Sequence, residues 1–425
     1  VTGVSTATLE RPAATAVKPG FWSRGRRVGA VLVVLGVIAA VFFGSAAPAG
    51  SAKFTFTNSG GGAHVNIPAQ AGAVVFGLLC LAAGAALLAG AAKRWLPLLT
   101  GVALFSFVFS FLCWQVAGNF MPLGNIAHGT VLLAVPLILG SLSGVLCERS
   151  GVINVAIEGQ FLMAAFLGAL VGTLTASYWA GLAAAAVGGL FIGLLLAFLA
   201  IRYLVDQVVL GVVLDLLALG LTGFLYESLL QSNQDQYNNP PHIGNWTIPG
   251  LSKIPLIGPA LFDHNPLVYI AILLVVLIHI GLFHTRWGLR TRAVGEHPTA
   301  ADTVGIKVKA VRYRNVLLGG VVAGLGGAFF TLGQEVTFTK NMTNGAGFIA
   351  LAALIFGRWS PIGAMLAALL FGFAEMLSYY LSISGSDIPS QFLAMLPYLA
   401  TIIAVAGLVG RVRAPAADGQ PYVKG

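Results

Sequence analysis

The sequence predicts an all-α, polytopic integral membrane protein of about ten to twelve transmembrane helices, and three observations carry that expectation. Of the 425 residues, 57% are hydrophobic and only 9% charged, and the mean hydropathy is +0.89, a balance that no water-facing surface supports. Apolar runs of about the 20 residues needed to cross a bilayer recur along the chain. The net charge of +9 sits in short loops beside those runs, which is the signature of membrane topology and not of a face for nucleic acid.

In order, residues 1–27 are polar and carry Arg11, Lys18, Arg24, Arg26 and Arg27, and the apolar run from Val28 to Gly44 follows. A basic flank, an apolar core and the small residues Ser45 to Ala49 resemble a secretory signal, but the long polar start and the many later spans favour an uncleaved anchor. Residues 51–69 are rich in Gly, Ser, Thr and Asn and read as an external loop. Further spans are expected at about 71–91, 96–117, 126–146, 153–175, 180–200, 207–229, 266–284, 315–333, 361–382 and 392–409, with a short apolar piece at 348–356. Between 230 and 265 lies a proline-rich external loop whose only Lys or Arg is Lys253.

Charge placement tests the topology. With the amino-terminal side inside and every segment crossing, only Lys53, Lys253 and Lys340 of the 23 Lys and Arg fall outside. A re-entrant piece at 348–356 would strand Arg358, Arg411, Arg413 and Lys424 outside, so twelve crossings are expected. Nine residues of helix reach only about 14 Å, so that piece must be extended by its flanks or broken. The expected organisation is a cytoplasmic tail (1–27), an extra pair of spans (28–95), a ten-helix core (96–410) and a second cytoplasmic tail (411–425).

Between two spans, residues 286–314 form a polar interruption with Arg286, Arg290, Arg292, Lys307, Lys309, Arg312 and Arg314 against Glu296 and Asp302, which puts it in the cytoplasm. Pro298 can open a short helix and Gly305 can close it, leaving Thr299 to Val304 as one to two turns. The string Gly295, Glu296, His297, Pro298, then Ala300, Ala301 and Gly305 resembles the coupling loop of ABC-importer permeases, in the branch that handles nucleosides, simple sugars and branched-chain amino acids. The resemblance implies that this helix rests in a groove on an ATP-hydrolysing subunit and passes its closure to the membrane helices.

Two segments, 148–162 and 341–361, interrupt apolar helix with Gly and polar residues. Paired breaks of this kind point to a site near the bilayer midplane, because free backbone groups at depth are tolerated only beside a cavity. Ser150 to Asn154 with Glu158 and Gly159, and Gly347 to Ala352 with Gly357, Arg358, Trp359 and Pro361, resemble the signatures of nucleoside and simple-sugar ABC permeases. The matched stretches run from about Gly144 to Gly372.

Ionisable residues inside a bilayer cost about 2.5 to 3.5 kcal/mol for Asp, so each is a functional candidate. Asn154, Glu158, Asp215 and Glu375 are candidates for a polar substrate path, with Phe348 and Trp359 as faces for a base. The same side chains serve equally to bond across helices, to cap broken ends or to anchor at the interface. Asn154 lies toward the cytoplasmic side, which suits an exit gate.

No Gly-x-x-x-x-Gly-Lys-Ser/Thr loop occurs, and the seven histidines include no pair four apart. Neither a catalytic residue nor a cofactor or metal site is expected, and Cys80, Cys113 and Cys147 read as small apolar residues. The resemblance implies a permease in the bacterial plasma membrane for nucleosides or related sugars, working with a cytoplasmic ATP-binding subunit, a second permease, an external substrate-binding lipoprotein and no nucleic acid. Branched-chain amino acids, pentoses and an ion-coupled secondary mechanism are the alternatives.

Overall fold

The computed structural model describes residues 23–56, 63–90, 93–254, 256–334, 337–384, 388–393, 395, 398 and 413–424. The span expected at 392–409 falls almost wholly outside the described residues. The chain divides into two compact units, one of residues 1–51 and 67–117 and one of 52–66 and 118–425.

The first unit holds three helices, α1 (Gly25–Ala46), α2 (Ala69–Leu88) and α3 (Leu96–Gln115). Each is apolar on all sides, as lipid requires of a helix whose own backbone satisfies its polar groups. Small residues let them approach: the Ser110 hydroxyl donates to the Ala73 carbonyl at 2.7 Å, and Phe43 stacks on Trp114 with ring centroids 5.1 Å apart. The unit therefore takes in the span at 96–117, which the sequence alone groups with the permease core.

In the second unit, the membrane helices are α4 (Leu123–Glu148), α5 (Ile157–Thr175), α6 (Tyr178–Arg202), α7 (Gln207–Leu230) and α8 (Pro266–His284). Two short helices follow, α9 (Arg286–Glu296) and α10 (Pro298–Thr303). The unit continues with α11 (Val308–Gln334), the half-length α12 (Ala346–Phe356) and α13 (Pro361–Ile383). Among the described residues of the whole chain, ten helices are long and apolar enough to cross a membrane. The fold is all-α and polytopic, with small exceptions outside the spans, where residues 53–55 pair in parallel with Phe120–Pro122 and Trp246–Thr247 pairs antiparallel with Asp263–His264.

Burial sorts the helices. In α4, α5 and α11 between 67% and 78% of the apolar window is inside the protein, against 33% to 50% for the other spans of this unit. Those three form the interior, and α4 is buried without interruption from Ala134 to Glu148. At 26 residues α4 is about 39 Å long, so it overruns the hydrocarbon and reaches both interfaces. Where α6 crosses α11, Gly189 faces Gly320 so closely that a Cβ on either would overlap the other's backbone.

One end of this unit collects the basic residues. Arg149 donates to the Trp359 carbonyl at 2.8 Å, and Arg312 donates to the Ser150 carbonyl at 3.2 Å. At the opposite end Lys340 pairs with Glu227, and the Tyr380 hydroxyl donates to the Phe120 carbonyl at 2.6 Å. The positive-inside rule makes the basic end cytoplasmic.

Candidate transport site and coupling end

The two broken segments meet. Residues 337–345 run without regular structure until Asn341, Asn344 and Gly345 take left-handed backbone, with φ of 54°, 42° and 83°, and α12 begins at Ala346. Its first amides lack helical partners, and a carboxylate from the other segment supplies them. Glu158, in the first turn of α5, accepts from the Thr343 hydroxyl at 2.6 Å, the Gly345 amide at 2.8 Å and the Gly347 amide at 2.6 Å. A Cβ on Gly347 would overlap the Glu158 backbone, so only glycine fits. Asp215 of α7 does the same for α5, accepting from the Gly159 amide at 2.7 Å. The Glu158 carboxyl group can be buried here because three donors at the amino terminus of α12 satisfy it.

Beside this junction lies a cavity of about 320 Å³, at the small end of small-molecule sites. Gln334, Thr337, Thr339, Thr343, Asn344 and Glu375 give it polar walls, and Leu133, Pro136, Leu137, Phe330, Met342, Ala346 and Ile349 give it apolar ones. Leu133 is ten residues into α4, about 15 Å from its outer end, which sets the cavity near mid-depth. Two irregularities shape the walls. Pro136 removes the helical amide partner of the Leu132 carbonyl, and the last turns of α11, Phe329–Gln334, widen into π-helix and carry Phe330 and Gln334. Among the described residues the lining has one carboxylate and no Lys or Arg.

Of the path candidates, Glu375 lines the cavity. Glu158 stands behind the wall, holding Thr343 in place. Asn154 is fully buried near the basic end and donates to the Ser143 hydroxyl at 3.0 Å and to the Gln160 side-chain oxygen at 3.2 Å. Trp359 is buried, its indole donating to Glu148 at 2.5 Å, whereas Phe348 is 49% exposed and away from the lining. The Oδ2 atom of Asp215 is buried with no bond partner among the described residues. Thr343 and Asn344 fall within the broken segment 341–361 without being singled out there, and Gln334, Thr337 and Thr339 lie outside it, since uncharged polar residues near a span end carry no distinguishing signal.

At the basic end α10 spans Pro298–Thr303 and Gly305 follows with φ of 85°, the proline start and glycine stop expected. Ala301 is buried with Val294, Val308 and Val311, while Glu296, His297 and Ala300 are exposed. Val304 is 75% exposed, a large apolar side chain left open at the end of α10. Gly295 lies so close to the Arg149 carbonyl that a Cβ would overlap it.

A long-helix membrane body, two broken segments joined at mid-depth and a short helix pair at the basic end define a transport permease. The chain belongs to the family described as branched-chain amino acid transport system / permease component, whose model matches residues 126–409. It is 42% identical over 314 residues to the guanosine ABC transporter permease protein NupQ of Bacillus subtilis, covering 71% of this chain and 98% of that protein. Against the nucleoside ABC transporter permease protein NupC of Lactococcus lactis it is 41% identical over 308 residues, 70% of this chain and 96% of that one. A putative glucose ABC transporter permease of Haloferax volcanii, TsgC13, is 34% identical over 255 residues, covering 60% of this chain and 76% of that protein. No solved structure matches the chain. The chain is a multi-pass protein of the plasma membrane.

Proposed function

We propose that the chain is the membrane-spanning permease of an ABC importer for nucleosides, energised by a separate cytoplasmic ATP-binding subunit, paired with a second permease and fed by an external binding lipoprotein. The observation that carries the substrate class is the cavity, in which hydroxyls, two amides and the Glu375 carboxylate line a mid-depth space without a basic residue among those described. A neutral ligand rich in hydroxyl and N–H donors suits such a lining. A phosphorylated ligand, or the carboxylate of an amino acid, meets no counter-charge there. The names of the relatives from Bacillus subtilis and Lactococcus lactis agree with this choice. Simple sugars are the second reading, favoured by the relative from Haloferax volcanii and by the same hydroxyl-binding walls.

Coupling follows a chain of contacts. A push on α10 reaches α9, whose Gly295 sits on Arg149. Arg149 holds the carbonyls of Arg358 and Trp359 at the foot of α12. The 11 residues of α12 form a rod of about 16 Å, and its head carries Ala346 and Ile349 on the cavity wall. Glu158 ties that head to α5, so tilting α12 moves the wall and the α5 start together.

Reconstituting the whole importer in proteoliposomes and measuring ATP-dependent uptake of labelled guanosine tests the reading. Unlabelled adenosine should compete, and guanosine monophosphate and leucine should not. Uptake driven by an ion gradient without the ATP-binding subunit would instead identify a secondary transporter.

A further inference from the structure

The family match ends at residue 409, yet residues 413–424 fold back onto the coupling end. The Ala417 amide donates to the Gly295 carbonyl at 2.8 Å, and the Ala416 amide donates to Glu296 Oε2 at 3.2 Å. Tyr422 is 7% exposed and completes the apolar patch of Val294, Ala301, Val308 and Val311. Arg312, at 2% exposure, joins the pieces: its Nε donates to the Ser150 carbonyl at 3.2 Å and its Nη1 to the Gln420 carbonyl at 2.9 Å. One buried guanidinium thus binds the turn after α4, the first turns of α11 and the segment 413–424.

Without that segment, the six residues of α10 keep only the small buried side chain of Ala301 as an anchor to the body of the protein. A helix that must transmit force needs a stiffer mount. We propose that residues 413–424 are a strap that clamps α10 and the end of α9 to the turn after α4, that Arg312 is its positioning residue, and that the strap makes α10's movement reach α12. The proposal rests on the coupling role assigned to α10 above. Planar fork geometry matters at Arg312 because its two carbonyl acceptors come from different segments, an arrangement that a lysine reproduces only in part.

Two measurements on the whole importer in proteoliposomes test this. The first is maleimide labelling of Ala417→Cys, a position 3% exposed, read on the permease band after the subunits are separated, where the native Cys80, Cys113 and Cys147 are all buried. With the strap docked, Ala417→Cys labels far more slowly than the exposed control Ala416→Cys, and adding Arg312→Gln raises its labelling about tenfold, the shift expected from losing charge-assisted hydrogen bonds. The second is the ratio of labelled guanosine taken up to ATP hydrolysed. That ratio drops about tenfold in Arg312→Gln and recovers partly in Arg312→Lys. Tyr422→Ser, which trims the strap's own apolar contact, and Gly419→Val, whose Cβ would press on Ile153 in the turn after α4 and push the strap away, lower it in the same direction. Equal labelling at 416 and 417 without further substitution, or an unchanged uptake-to-hydrolysis ratio in all four variants, overturns the strap. If the unmodified importer shows no ATP-dependent guanosine uptake, the functional reading falls and takes the coupling role with it, while the labelling still decides whether the strap is docked.

Discussion

Glu158 accepts the backbone amide proton of Gly347 at 2.6 Å across 189 positions of chain. That bond makes one object of two segments that the sequence presents as separate breaks. The amino end of α12 needs an acceptor, α5 needs its first turn fixed, and one carboxylate meets both requirements at a depth where water is scarce.

Replacing Glu158 by Gln keeps the shape but leaves an amide nitrogen where an acceptor is needed. At least one charge-assisted bond is lost and a donor is left facing a donor, a cost of ~1.5–3 kcal/mol. The purified permease should melt at a lower temperature in detergent, and Gly347→Ala should do the same by steric overlap. A Glu158→Gln protein as stable as the parent would show that Glu158 does not cap α12.

Glu375 carries the opposite expectation. It lines the cavity and makes no hydrogen bond that supports the fold among the described residues. Glu375→Gln should leave the melting temperature unchanged and raise the KM for guanosine uptake by about tenfold or more, the loss of a hydrogen bond to a charged group. A stability loss with unchanged KM would reverse the roles of Glu158 and Glu375.

Much of this fold can be read along the chain because lipid imposes a coarse rule on sequence. The span at 266–284 is seen as Pro266–His284, and the short piece at 348–356 is seen as Ala346–Phe356, broken and led in by irregular chain. Pro298 and Gly305 bracket α10 as punctuation residues do. The site was less legible. Glu158, Asp215 and Glu375 are equally improbable in a bilayer, and nothing local to them tells which two cap helices and which one faces a cavity. Their partners lie on other helices, Thr343 being 185 positions from Glu158. Gln334 and Asn344 gain meaning only from the π-wound end of α11 and the left-handed turn that aim them at one space. The strap was hidden for a related reason, since a short polar segment after the last span reads as a solvated tail until Arg312 is seen to hold it.

Helix packing offers a test independent of transport. Gly189 and Gly320 allow α6 and α11 to touch along their backbones, so Gly189→Val must push the helices apart or fail to insert between them. Overpacking of this kind costs about 1–3 kcal/mol. Reduced folded yield and a lower melting temperature are expected, measured by fluorescence-detected size exclusion. Gly223→Val should be neutral, since a Cβ there meets open space.

The strap should also answer to pH. Burial pushes the Asp418 carboxyl from its ordinary 3.8 up to about 7, against the pull of the Glu148 carboxyl that faces it and of the Arg312 charge nearby. The undocked segment is solvated and keeps the ordinary value, so the docked form holds the extra proton. A group whose docked pKa is raised contributes most below its undocked value and loses that contribution as pH rises through its docked value. Docking is therefore firmest in acid, loosens as pH rises toward about 7, and levels off above it. Labelling of Ala417→Cys, normalised to Ala416→Cys to remove the reagent's own pH dependence, should rise as pH is raised toward about 7 and level off above it. Asp418→Asn should flatten that rise, because an uncharged amide mimics the protonated carboxyl at every pH. Labelling that falls as pH rises would show that the ionised Asp418, drawn to Arg312, is the docked form.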